Sequence, residues 1–344
     1  MSRWAVVLAG GTGSRFWPLS TPEKPKQLLP LVTEKPLLHD TVSRLRPIVD
    51  PEHTIILTSA SLTEAIGKLL GELPRENIIA EPQPAGTAAA LTWAAMSIER
   101  RDGRNAVMIC VHADWAIADD ERYRDTLLEA ERVALKTESL VTVGIVPTRP
   151  DPGFGYIQPT LTGKPSVVKR FVEKPDRARA EEMRNNGYLW NSGIFVWRVG
   201  DFLDEVDRHT PELAAALRHG RNGDAAQFFG SVIMPVSVDV GILERSSKVM
   251  VVPGDFGWDD VGTWAALSRV RSKDEFGNVT TGDAHLLDCA DNVVHADSGQ
   301  VVMYGVNDLV VVTKNGLTMV TTTDKASDLK RLIESLSAAE LERS

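Results

Sequence analysis

Four short runs rich in Val, Ile and Leu, at residues 5–9, 54–58, 106–111 and 140–146, set the strongest limit on how this chain folds. Each is too short for a buried helix and lacks the polar alternation of a strand with one wet face. Such runs suit strands covered on both faces of a mainly parallel sheet. Helical patterns lie between them. Residues 87–101 are alanine-rich, and residues 123–136 place Leu127, Leu128, Ala134 and Leu135 on one face. Strands alternating with helices predict an α/β, doubly wound fold with ligands near the carboxyl ends of the strands.

After about residue 275 the texture changes to short β-branched runs punctuated by Asp-Asn, Asp-Ser-Gly, Asn-Asp and Asn-Gly. The stretch "DLVVVTKNGLTMVTT" predicts two strands joined at Asn315-Gly316. A closing helix carries Leu329, Leu332, Ile333 and Leu336 on one stripe. We therefore expect a large domain over 1–272 and a small docked β domain with a terminal helix over 273–344. Of the 344 residues, 43% are apolar, enough for a substantial core. A net charge of −9 argues against a nucleic-acid partner. Cys110 and Cys289 form no CxxC pair, no signal peptide is visible, and no apolar stretch approaches the ~20 residues of a membrane span. These features lead us to expect a reduced cytoplasmic protein without membrane attachment.

The first apolar run breaks into Gly10-Gly11-Thr12-Gly13, followed by Arg15, Lys24 and Lys26. Neither GxxxxGK[ST] nor GxGxxG is met, because Arg15 and Phe16 stand where those patterns need other residues. Glycines still let backbone N–H groups approach anionic oxygens, and Arg15 and Lys26 supply charge to neutralise a phosphoryl group. A tight turn beside solvated cations explains the same residues equally well.

At this point "LAGGTGSRFWPLS" and "PKQLLPL", with "EPQPAGTAAAL", "FVEKPD", "WNSGIFVW", "SVDVGILE" and "VVPGDFGWDDVGTW" in order, provide a specific match. The chain resembles the sugar-1-phosphate nucleotidylyltransferases, and among them the mannose-1-phosphate guanylyltransferases. The resemblance runs from about residue 5 to 270, and the tail resembles that family's small C-terminal β domain. It implies a Rossmann-like doubly wound mixed sheet of the nucleotide-diphospho-sugar transferase type, with a β-helix-like tail.

The implied reaction joins GTP and mannose 1-phosphate to give GDP-mannose and diphosphate. A sugar-phosphate oxygen attacks the α-phosphorus in line, and Mg²⁺ is the expected cofactor. No protein nucleophile is required, so alignment and charge stabilisation carry the catalysis. The resemblance assigns nucleotide binding to Leu8, Ala9, Gly10, Gly11, Thr12, Gly13, Arg15, Lys26, Glu81, Pro82, Gly86 and Thr87. It gives Arg15, Lys26, Asp114 and Asp260 catalytic roles, with Asp114 and Asp260 as metal ligands. Gly155, Glu173, Lys174 and Asn191 fall to the sugar phosphate, and a homodimer is the family-level expectation.

On their own chemistry, either aspartate is more often a cap than a ligand, Asp114 starting a turn and Asp260 capping a helix near Val261. Glu173 and Lys174 sit at the end of a strand-like run, where alternation places them on opposite faces. One departure stands out: Trp115 follows Asp114 where the family usually has His. Base choice rests on Glu81, because guanine presents adjacent N1–H and N2–H₂ donors that one carboxylate accepts. Uracil, thymine or adenine would set acceptors against it. Two alternatives stay open: a nucleotidylyltransferase for another base or hexose, and a catalytically silent nucleotide-sugar-binding regulatory subunit.

Overall fold

The computed structural model describes residues 2–11, 14–221 and 223–337. They group into two compact units, each discontinuous in sequence. The first holds residues 1–10, 42–112 and 119–256; the second holds 11–41, 113–118 and 257–344.

The first unit is built on a mixed sheet of nine strands among the described residues. These are β1 (Arg3–Leu8), β2 (Thr54–Ser59), β3 (Ile78–Glu81), β4 (Val107–His112), β5 (Leu140–Ile145), β6 (Tyr156–Pro159), β7 (Ser166–Val172), β8 (Leu189–Arg198) and β9 (Val249–Gly254). Their order is β3-β2-β1-β4-β8-β5-β9-β7-β6. β1, β2, β3 and β4 run parallel, whereas β8 inserts antiparallel between β4 and β5. The four apolar runs are β1, β2, β4 and β5, within a residue or two at either end, and almost every position in them is buried.

Helix Gly86–Asp102 is buried on nearly all sides from Ala88 to Met96. Its alanines admit neighbouring elements at close range, and Trp93 packs against Phe228 and Phe229. Helix Asp120–Thr137 is capped by the Asp119 carboxylate, which accepts the Arg122 N–H at 2.9 Å. Its buried stripe runs through Tyr123, Leu127, Ala130 and Ala134, with Leu128 and Leu135 on the flanks of the expected face.

The second unit contains β10 (Val279–Thr281), β11 (Ala284–Leu287), β12 (Val293–Ala296), β13 (Val301–Tyr304), β14 (Leu309–Lys314) and β15 (Leu317–Thr322). β10, β12 and β14 stack in parallel, as do β11 and β13, so successive coils of chain lie over one another. β14 and β15 form the expected hairpin, with Asn315 and Gly316 both at positive φ. The final helix spans Lys330–Ser335. The unit's core joins Val293, Val310 and Val312 to Phe16, Trp17, Leu29 and Trp264. Among the described residues no helix is long and apolar enough to cross a membrane.

Candidate active site

Within the second unit the chain brings together three residues that lie far apart in sequence. Ala116 and Asp259 exchange backbone hydrogen bonds of 2.9 and 3.1 Å across an antiparallel bridge. That rung aligns the turn after β4 with residues 257–260. Lys26, buried in a short 3₁₀ turn, donates from Nζ to Asp114 Oδ2 at 3.0 Å and to the Asp260 carbonyl at 2.6 Å. One ammonium thus touches both residues expected to hold a metal. Gln27 donates to the Gly11 carbonyl at 3.0 Å and ties the glycine loop to the same turn. Arg15 stands exposed in the preceding turn. Thr12 and Gly13 lie outside the described residues.

The local backbone explains how Asp260 is presented. No helix starts at Val261, so Asp260 is not a helix cap. Val261 is fully buried with φ of 47°, a left-handed conformation that a β-branched residue adopts only under constraint. Asp259 supplies part of that constraint, since its Oδ1 accepts the Val261 N–H at 2.9 Å. Asp259 therefore stabilises the kink that follows Asp260. Trp115, the departure noted in the sequence, is buried edge-on against Trp258 with centroids 5.8 Å apart.

In the first unit, the carboxyl ends of β1 and β3 carry the expected base-side residues. Leu8 closes β1, and Ala9 is held by the Leu57 carbonyl and the Thr58 hydroxyl. A Cβ at Gly10 would lie 3.8 Å from Glu81 Oε1, so glycine loop and carboxylate are neighbours. Burial pushes the Glu81 carboxyl up to about 7. Pro82 is exposed. Gly86 has φ of 83° and packs so closely that a Cβ would sit 2.4 Å from the Val236 carbonyl oxygen. Thr87 Oγ1 accepts the Val238 N–H at 2.9 Å. Both residues thus anchor the 236–238 segment.

All four expected sugar-phosphate residues gather in the same unit. Asn191, on β8, donates its backbone N–H to the Gly155 carbonyl at 2.8 Å. A Cβ at Gly155 would lie 2.9 Å from Glu173 Oε2. β7 ends at Val172, so the alternation expected for Glu173 and Lys174 does not apply. Lys174 turns to φ of 38°, and its Nζ pairs with Glu173 Oε1 at 3.0 Å instead of facing away. β4 stops at His112, so Asp114 lies in the turn beyond the strand.

Sequence reasoning missed Asp239, whose Oδ1 accepts the Asn191 amide N–H at 2.7 Å. The available signal was an aspartate set among Val238, Val240, Ile242 and Leu243 in "SVDVGILE". Asp239 opens a π-helical turn, Asp239–Leu243, and burial pushes its carboxyl up despite the Asn191 hydrogen bond.

A nucleotidyl transferase family model matches residues 4–276, and a MannoseP isomerase/GMP-like beta-helix domain model matches 282–336. The chain belongs to the nucleotidyl transferase family. It is 35% identical over 347 residues to a Klebsiella pneumoniae protein named mannose-1-phosphate guanylyltransferase, covering 96% of this chain and 73% of that one. It is 34% identical over 354 residues to the Pseudomonas aeruginosa alginate biosynthesis protein AlgA, covering 97% and 72%. A crystal structure from Thermus thermophilus, described as mannose-1-phosphate geranyltransferase, superposes with a TM-score of 0.89 at 34% identity, covering 97% and 99%. This nucleotidyltransferase therefore shares both its sheet and its β-rich C-terminal strands with that structure.

Proposed function

We propose that the protein transfers a guanylyl group from GTP to mannose 1-phosphate, giving GDP-mannose and diphosphate in the cytoplasm, where GTP is available. One observation carries the reading: a single buried lysine engages both Asp114 and Asp260. Nucleotidyl transfer between two polyanions needs cations and hard oxygen ligands held together. The relationship to proteins named for this reaction, which spans nearly all of this chain and 73% of each relative, supports the substrate pair.

The donor set fits Mg²⁺. Among the described residues no three His, Cys, Asp or Glu side chains form a group that could hold a metal by themselves. Mg²⁺ is typically bound by one or two carboxylates, with substrate phosphates and water completing its shell. Asp114 and Asp260 would hold it, and when bound it would neutralise charge on the phosphates. Lys26 and Arg15 would bind the triphosphate, and Lys174 the sugar phosphate. Glu81, when ionised, would accept guanine N1–H and N2–H₂.

The test is diphosphate release with Mg²⁺ from a panel of nucleoside triphosphates and sugar 1-phosphates. GTP with mannose 1-phosphate is expected to turn over fastest. A preference for UTP or dTTP would remove the Glu81 argument, and no turnover with any pair would remove the enzymatic reading.

A further inference from the structure

The amide of Asn191 is oriented from two sides. Its Nδ2 donates to Asp239 Oδ1 at 2.7 Å, and its Oδ1 accepts the Gly193 N–H at a long 3.4 Å. An asparagine side chain normally offers a ligand both donors and an acceptor. Here the Asp239 bond takes one of the two amino hydrogens and so fixes the sense of the amide, while among the described residues the oxygen takes one long bond. Beside it stands Glu173, whose Oε2 crowds the Gly155 Cα. Glu173 and His112 both act electrostatically on Asp239, and Glu244 feels the charge of Asp239 and Glu173. The Asn191 amide is therefore fixed in one sense beside the Glu173–Lys174 pair, with its Oδ1 turned from the Asp239 carboxylate and a second N–H on Nδ2.

We propose that Asp239 is a positioning residue that locks the Asn191 amide in this orientation, so that the sugar subsite meets sugar hydroxyls with an acceptor and a donor at fixed places. The inference rests on the sugar-nucleotidyltransferase reading above and specifies the sugar side of it. A hydroxyl can donate to the Oδ1 or accept from the N–H. A deoxy position leaves one of these oriented groups unmatched. Sites built to hydrogen-bond a hydroxyl discriminate strongly against analogues lacking it. Thr87 extends the device, because its hydroxyl holds the N–H of Val238 immediately before Asp239.

The experiment compares wild type with Asp239→Asn and Asp239→Ser, in steady-state kinetics and in calorimetric titration with mannose 1-phosphate alone. In Asp239→Asn the amide of residue 239 can meet Asn191 in either sense, so the lock is lost without a change of shape. The expected result is a KM for mannose 1-phosphate raised at least tenfold, a KM for GTP within twofold, and a melting temperature near that of wild type. Discrimination against a deoxy analogue of mannose 1-phosphate should narrow in the same variant. An unchanged sugar-phosphate KM overturns the proposal, as does an equal rise in both KM values accompanied by lower stability. Should Asp239→Asn fail to fold, Asp239→Ser supplies the same comparison. Calorimetry separates the two readings. Absence of wild-type turnover with GTP, alongside binding of mannose 1-phosphate that Asp239→Asn weakens tenfold, removes the proposed reaction but keeps this inference. No binding of mannose 1-phosphate by wild type overturns it.

Discussion

Arg269 grips Asp259 with two hydrogen bonds, from Nε to Oδ2 at 2.7 Å and from an Nη to Oδ1 at 3.0 Å. The same Oδ1 holds the N–H of Val261, whose left-handed backbone follows Asp260. The pair is asymmetric: the Asp259 side chain is 6% exposed, whereas that of Arg269 is 38% exposed. Removing Arg269 strands a buried carboxylate, but removing Asp259 leaves a cation that water can reach. Arg269→Met should therefore cost about 2–3 kcal/mol, the scale of charge-assisted hydrogen bonds. Asp259→Ser should cost less, because a serine hydroxyl can still accept the Val261 N–H. Urea denaturation of the two variants checks the order, and equal losses would show that the clamp is not what holds the kink.

Lys26 offers the sharpest separation of chemistry from stability. Its partner Asp114 has a side chain 35% exposed, so the carboxylate can rehydrate when the ammonium is removed. Lys26→Met should thus leave the fold within a few degrees of wild type in melting temperature. Turnover should fall by roughly 10²–10³, the loss typical of removing one preorganised charge from a transition state. Retained turnover would show that Lys26 only braces Asp114 and the Asp260 carbonyl.

Glu81 makes stability depend on pH. Its carboxyl is pushed by burial from 4.5 to about 7. Between those values the folded state binds more protons than the unfolded one, so stability falls as pH rises through this window. Above it the full cost of a buried charge is present. Glu81→Gln should melt higher than wild type at pH 8, and the difference should vanish towards pH 4.5. The same variant should lose GTP preference, because guanine needs the ionised form. Identical pH–stability curves for the two proteins would show that Glu81 does not titrate as a buried acid.

The strands were legible because burial on both faces favours runs rich in Val, Ile and Leu, and β1, β2, β4 and β5 all contain one. The insertion of β8 between β4 and β5 was not legible, since strand order is a matter of tertiary pairing rather than local pattern. The same limit applies at the site. Lys26, Asp114 and Asp260 could be nominated one by one, but their shared contact depends on the Ala116–Asp259 rung between distant segments. Lys174 shows the opposite failure: alternation was extended too far, past the end of β7 at Val172. Asp239 went unnoticed because its partner lies 48 residues away, on β8.

Asparagines in the C-terminal strands read as turn formers, yet two of them are buried and stack across coils. Asn292 is fully buried. Its Nδ2 donates to Asn278 Oδ1 at 2.9 Å and to the Val306 carbonyl at 3.0 Å, while its Oδ1 accepts the Leu309 N–H at 3.0 Å. One side chain thus links three successive coils. Asn292→Ala would leave a backbone N–H and a carbonyl without these partners inside the stack, at about 1–3 kcal/mol each. A total loss of roughly 3–5 kcal/mol is expected, and Asn292→Leu should fare no better because neither group gains a partner. The first unit's sheet shares none of these bonds, so the loss should appear as an earlier transition for the second unit in urea, followed by tryptophan fluorescence. A loss below about 1 kcal/mol would mean that water reaches the coil interior and replaces the amide.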